Sequence, residues 1–162
     1  MEINKEILRL LTDNARISVE EIAERLQIDI QTVTARIQNL EKDDVIKGYT
    51  AVINEDKLSD NKVKAIIEVK VTPQRDGGFD DIARRLSKFP AVSDVYLMSG
   101  GYDLCIEVSG NTLQEVAFFV SNKLATMAGV NSTATHFLLK KYKEAGKMIH
   151  DEVQNERLKI SP

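Results

Sequence analysis

Apolar residues recur at helical spacing in three consecutive stretches before residue 45. Ile7, Leu8, Leu10 and Leu11 form the first face, with Asn4 as N-cap, Ile3 and Leu8 at the spacing of a hydrophobic staple, and Asp13-Asn14 as the stop. Ser18-Val19-Glu20-Glu21 is a capping box that opens a second helix, burying Ile22, Ala23 and Leu26. After Gln27-Ile28, Asp29 caps a third helix that runs to about Asp43 with Val33, Ile37 and Leu40 inward. Val45 to Ile53 is rich in β-formers and contains Gly48, which predicts a strand or small wing leaving the helices.

Residues 54–63 are polar and read as a linker, and beyond them the period changes to two. Lys64 to Thr72 alternates, Ile67, Val69 and Val71 on one face and Ile66, Glu68 and Lys70 on the other, until Pro73. Phe79, Ile82, Ala83 and Leu86 mark a helix ending near Pro90. Val92–Ser99 and Asp103–Ser109 are strands around Gly100-Gly101, a hairpin signal. Thr112-Leu113-Gln114-Glu115 caps a further helix with Leu113, Val116, Ala117, Val120, Leu124 and Met127 inward, and Val130–Tyr142 is the last strand. Lys140-Lys141-Tyr142-Lys143 reads as its solvated end, and 143–162 as a charged, partly disordered tail.

The chain is therefore α+β: a winged helix-turn-helix three-helix domain over 1–53, a linker strand region over 54–63, and a ferredoxin-like βαββαβ domain over 64–142. Both helices of the second domain cover one sheet face. The other would show Ile66, Glu68, Lys70, Tyr96, Met98, Cys105 and Glu107, with His136 and Leu138. That mixture is too apolar for water and too charged for a closed core, which predicts a two-fold association surface.

Helices joined by so short a turn pack closely only if the residue facing the partner is small. Ala23 meets that need, with Val33 ten positions on filling the angle, and this spacing resembles the DNA-binding helix-turn-helix. Gln27 stands at a left-handed position where such motifs often have glycine, at a cost of about 1 kcal/mol. On the third helix Gln31, Thr32, Ala35, Gln38, Asn39 and Lys42 fall outward and Arg36 on the flank. Amides can read adenine edges, and threonine or alanine the thymine methyl. The alternative is an ordinary solvated face, but acidic residues are confined to the helix ends, at Asp29, Glu41, Asp43 and Asp44. Lys47 beyond it either touches phosphate or is solvated.

Charge complicates that reading. The net charge is −3, and residues 1–62 hold nine Lys and Arg against thirteen Asp and Glu. Phosphate neutralisation supplies most non-specific affinity, so one copy should bind weakly and several copies must act together. No apolar run approaches the ~18–20 residues of a membrane span, and the N-terminus has no signal pattern. With Cys105 as the lone cysteine no intrachain disulfide forms, and a cytoplasmic location is expected. His136 and His150 have no ligands at metal spacing, Cys105 reads as packing, and no phosphate-cradling loop is present, so neither metal nor cofactor is expected. A small ferredoxin-like enzyme or metabolite-binding module with a helical appendage is the competing class, with Asp103 and His136 as its acid–base pairing. An RNA binder would need stacking aromatics on the third strand, where Leu104, Cys105, Ile106, Glu107 and Val108 stand.

Ala15-Arg16-Ile17-Ser18, Val33 through Arg36-Ile37 to Leu40-Glu41, Val45-Ile46-Lys47-Gly48-Tyr49 and Ser99-Gly100-Gly101-Tyr102-Asp103, in this register, resemble the Lrp/AsnC (feast-or-famine) family of prokaryotic transcription regulators over nearly the whole chain. The resemblance implies a non-enzymatic regulator of double-stranded DNA, a C-terminal domain that dimerises and often assembles to octamers, and a small effector, typically an amino acid, bound between subunits. It places the pocket at Ser99, Gly100, Gly101, Tyr102 and Asp103, with Thr133, Thr135 and His136 as walls. Glycine amides approach a carboxylate closely, and an aspartate accepts from an α-ammonium. Two departures stand out: Asn4 where the family commonly has aspartate, both being helix caps, and Asp44 where glycine usually precedes Val-Ile.

Overall fold

The computed structural model describes residues 2–59, 62–73 and 78–150. It divides into two compact units, Met1–Ile53 and Asn54–Pro162.

In the first unit, α1 (Glu2–Asp13), α2 (Val19–Leu26) and α3 (Ile30–Lys42) enclose Ile7, Leu10, Ile17, Ile22, Ala23, Val33 and Leu40. Ala23 is buried, as a close α2–α3 crossing requires. Ser18 Oγ accepts from the Glu21 amide at 3.1 Å, while the Glu21 carboxylate pairs with Arg25 and does not reach back to complete the box. α1 begins at Glu2, so Asn4 lies inside it and is not its cap.

Both α2 and α3 end in the same left-handed motif without glycine. Gln27 has φ 55° and ψ 43°; its amide donates to Glu24 O at 3.3 Å and the Ile28 amide to Ala23 O at 3.1 Å. Asp44 has φ 59°, with its amide on Glu41 O at 3.1 Å and the Val45 amide on Leu40 O at 2.9 Å. These are Schellman closures, in which the left-handed residue lets the chain turn back on the last carbonyls. The turn at Asp44 favours glycine for the same conformational reason as the turn at Gln27.

Residues 45–53, expected as a strand or wing, form no strand in the single chain. A strand exists through its ladder, and no segment among the described residues pairs with this one. Ile46 packs on the helical core, whereas Val45, Tyr49, Val52 and Ile53 stay exposed.

The second unit is built on a four-stranded antiparallel sheet of order β2-β3-β1-β4, from β1 (Val63–Val71), β2 (Val92–Leu97), β3 (Leu104–Gly110) and β4 (Val130–Phe137). α4 (Asp80–Leu86) and α5 (Leu113–Phe119) cover one face. Ala65, Ile67, Val69, Leu104, Ile106 and Val108 point to them and pack with Ile82, Leu86, Val116, Phe119, Leu124 and Met127. Leu113 and Ala117, expected inward, are exposed, and Phe119 takes a core position edge-on to Phe89 at 5.3 Å. The helix widens to a π turn over Val120–Leu124, with the Ala125 amide on Val120 O at 2.8 Å. That extra residue shifts the inward stripe away from pure α spacing.

The last strand stops at Phe137, short of the expected Tyr142. Lys143–Glu144 (β5) and Lys147–Met148 (β6) instead make a hairpin around Ala145 and Gly146, both at positive φ. Such a two-residue turn matches the twist of the paired strands, so the first part of the expected tail is structured; residues 151–162 lie outside the described residues. Nor is the start of the expected linker detached. Asn54 Nδ2 donates to Ile149 O at 2.8 Å, and Glu55 pairs with Lys64 at 2.8 Å.

Candidate nucleic-acid interface and effector pocket

The outward face of α3 is set by its cap. Asp29 Oδ2 accepts from the Thr32 hydroxyl at 2.6 Å and Oδ1 from the Thr32 amide at 2.7 Å. The hydroxyl and then the amide hold the Asp29 carboxyl below its ordinary range. Thr32 is thus half-buried with its hydroxyl engaged. Gln31, Ala35, Gln38, Asn39 and Lys42 are exposed, and from Ile30 to Leu40 no carboxylate interrupts them.

The two other cations of the expected face have partners. Arg36 Nη1 donates to Asn4 Oδ1 on α1 at 2.9 Å, and its Nε is buried without a hydrogen bond. Lys47 lies 2.9 Å from Asp44 in an exposed pair. One contact was not foreseen: Tyr49 donates to Glu41 at 2.8 Å, fixing the segment after α3 to the last turn of that helix. Partial burial and then Glu41 raise the Tyr49 pKa. Its signal was present in sequence, an aromatic hydroxyl just beyond an acidic helix end.

In the second unit the β2–β3 connection is fastened at its base. The Met98 amide donates to Asp103 O at 2.8 Å, the Asp103 amide to Val69 O at 3.1 Å, and the Val71 amide to Asp103 Oδ2 at 2.8 Å. Gly100 has φ 146°, and a Cβ on Gly100 or Gly101 would meet nothing within 4 Å, so this tip is open. The expected walls do not fall together. Thr133 and Thr135 pair with Val69 and Ile67 and share the helix-covered face. His136 pairs with Ile66 on the opposite face, its Nε2 3.6 Å from Glu68 Oε1. Side chains alternate along a strand, so one pocket within one chain cannot be walled by all three.

The uncovered face carries Ile66, Glu68, Tyr96, Cys105, Glu107 and His136 as expected. Ile66 remains 39% and Tyr96 53% exposed. Burial, with Glu68 and Glu107 nearby, pushes the Cys105 thiol up, so it is a poor nucleophile. Among the described residues no three His, Cys, Asp or Glu side chains gather as a metal site. No described helix is long and apolar enough to cross a membrane.

Comparison with known proteins matches both halves. Residues 2–47 fit the family model for winged helix-turn-helix DNA-binding, and residues 64–148 fit that for the Lrp/AsnC ligand binding domain. The chain belongs to the Lrp/AsnC family. As such it is a DNA-binding transcriptional regulator with a ligand-binding domain. The HTH-type transcriptional regulator YugG of Bacillus subtilis is 45% identical over 162 residues, 99% of this chain and 98% of that protein. Two solved structures share the fold. The leucine response regulatory protein LrpA of Mycobacterium tuberculosis has a TM-score of 0.74 at 22% identity, over 93% of this chain and 99% of that one. The Neisseria meningitidis regulator NMB0573, solved as its L-Met complex, has a TM-score of 0.70 at 23% identity, over 89% and 92%.

Proposed function

We propose that this Lrp/AsnC member reads duplex DNA with the outward side of α3 and tunes that binding through a small effector at the β2–β3 connection. The observation that carries the DNA half is the carboxylate-free exposed row Gln31, Ala35, Gln38, Asn39 and Lys42 in an otherwise acidic unit. Thr32 adds its methyl, and Lys47 a phosphate contact once it leaves Asp44. Arg36 supports the helix from behind and reaches DNA only by giving up Asn4.

The effector belongs to the amino-acid class, a reading supported by the neighbour solved with L-Met. Ser99, Gly100, Gly101 and Tyr102 form the open tip that meets it, with Asp103 at the base. Thr133 and Thr135, or His136 from a second copy, complete the enclosure. The uncovered sheet face pairs two copies, and dimers assemble to an octamer. The protein acts in the cytoplasm and catalyses no reaction: Asp103 bonds Val71, while His136 lies beside Glu68 across from Ile66.

Footprinting on the promoter of the chain's own gene, with and without the twenty amino acids, tests both halves. Protection that shifts with one of them is expected. No protected duplex at low ionic strength would defeat the DNA reading, and protection indifferent to all twenty would defeat the effector class.

A further inference from the structure

Asp103 sits where the β1–β3 ladder ends. Val69 pairs with Leu104 as the final residue couple, and β1 runs on to the buried Val71 after a register shift against β4. Past that couple the ladder has stopped, and the next carbonyl, that of Asp103, accepts from the Met98 amide. The Asp103 carboxylate takes its place at 2.8 Å. Two main-chain bonds of the same residue hold Val69 and Met98, so Asp103 fastens both ends of the connection to each other and to the central strand. The tip, Ser99 to Gly101, is exposed, whereas Tyr102 and Asp103 are half-buried.

We infer that Asp103 is a positioning residue: its carboxylate replaces a missing ladder acceptor for Val71 and so aims the Ser99–Tyr102 amides, and it is not the counter-ion of an effector's ammonium. The inference deepens the effector reading above and rests on it for the functional consequence, but the clamp itself is testable without ligand. A carboxylate already accepting a buried N–H is oriented by the strand, and its charge is partly spent there. An amide in its place keeps an acceptor oxygen and loses the charge, whereas alanine loses both. The two roles therefore separate.

The experiment compares Asp103→Asn and Asp103→Ala in the full-length protein by amide hydrogen exchange, together with DNA binding across the same twenty amino acids. With no ligand, Asp103→Ala should speed Val71 exchange at least about tenfold, the loss of one bond to a charged acceptor. Asp103→Asn should stay within about threefold of wild type and keep the effector response that Asp103→Ala loses. Unchanged Val71 exchange in Asp103→Ala would overturn the clamp. Asp103→Asn that protects Val71 yet abolishes the response would make the charge a ligand contact and overturn the positioning role, leaving the pocket in place. Should wild type answer no amino acid, the effector reading falls, and Val71 exchange alone still decides the clamp. If Asp103→Ala does not fold, Asp103→Leu, which fills similar space without an acceptor, decides: Val71 exchange faster than in Asp103→Asn supports the clamp, and equal exchange refutes it.

Discussion

Arg36 on α3 donates to Asn4 on α1 at 2.9 Å, thirty-two positions apart, so the side chain at position 4 ties two helices together and does not cap one. Position 4 lies within α1, so aspartate there would not cap it; it would turn the bond into an ion pair with Arg36. Asn4→Asp should raise stability by up to about 1 kcal/mol, with the gain shrinking in high salt. Arg36→Ala should lower it by about 1 kcal/mol, and in a double-mutant cycle the two changes should couple. Urea midpoints measure all three. Additive effects would show that the contact carries no energy.

Gln27 and Asp44 each hold a left-handed conformation that glycine adopts freely. Gln27→Gly and Asp44→Gly should each stabilise the N-terminal unit by about 1 kcal/mol. Asp44→Gly also removes the pair with Lys47, but that pair is exposed on both sides and contributes little. Thermal unfolding of the single and double variants should show additive rises. A fall in either would mean the side chain holds its turn through contacts stronger than the strain.

Asp29 links the start of α3 to pH. Its folded pKa is lowered by the bonds from Thr32, so the native state favours the charged form. The contribution is therefore present above the unfolded value of 3.8 and fades as pH falls through the folded value below it. Asp29→Asn, which still accepts from Thr32, should unfold with a shallower pH dependence below about pH 4. Superimposable acid-unfolding profiles would remove Asp29 from the linkage.

Wherever burial and period agree, the elements were legible in the residues: the three helices, the βαββαβ order and the two faces of β1 all follow from which positions are apolar. What escaped depends on partners or on single backbone states. The π turn at Val120–Leu124 keeps apolar residues at both candidate spacings, so the pattern could not choose Phe119 over Ala117. Residues 45–53 have the composition of a strand but no neighbour within one chain. At the candidate sites, residue type suggested the α3 face, and the family resemblance suggested the Gly-Tyr-Asp connection. The partners of Arg36 and Asp103, each thirty-two positions away, are set by tertiary distance, which spacing along the chain does not encode.

Ile66 lies at the centre of the uncovered sheet face, across from Glu107 on one side and His136 on the other. Ile66→Glu would place a third carboxylate beside Glu68 and Glu107. Sedimentation at micromolar concentration should show the proposed pairing of copies weakened by at least about tenfold, with helix content unchanged. On the proposed reading, in which several copies together hold the duplex, DNA binding should fall in parallel. An unchanged sedimentation coefficient would place the self-association surface elsewhere.

Gly101 separates a ligand effect from a folding effect. Its Cβ direction is open to 4 Å and its φ is not in the left-handed region, so a large side chain there should leave thermal stability within about 0.5 kcal/mol of wild type. The same side chain would fill the space over the amides of the connection. Gly101→Trp should therefore bind promoter DNA normally but lose the shift produced by the responding amino acid. Gly100→Trp, at φ 146°, should also destabilise the sheet end and so cannot serve the purpose. A Gly101→Trp protein that still responds at the wild-type concentration would move the pocket away from the β2–β3 connection, whatever the role of Asp103.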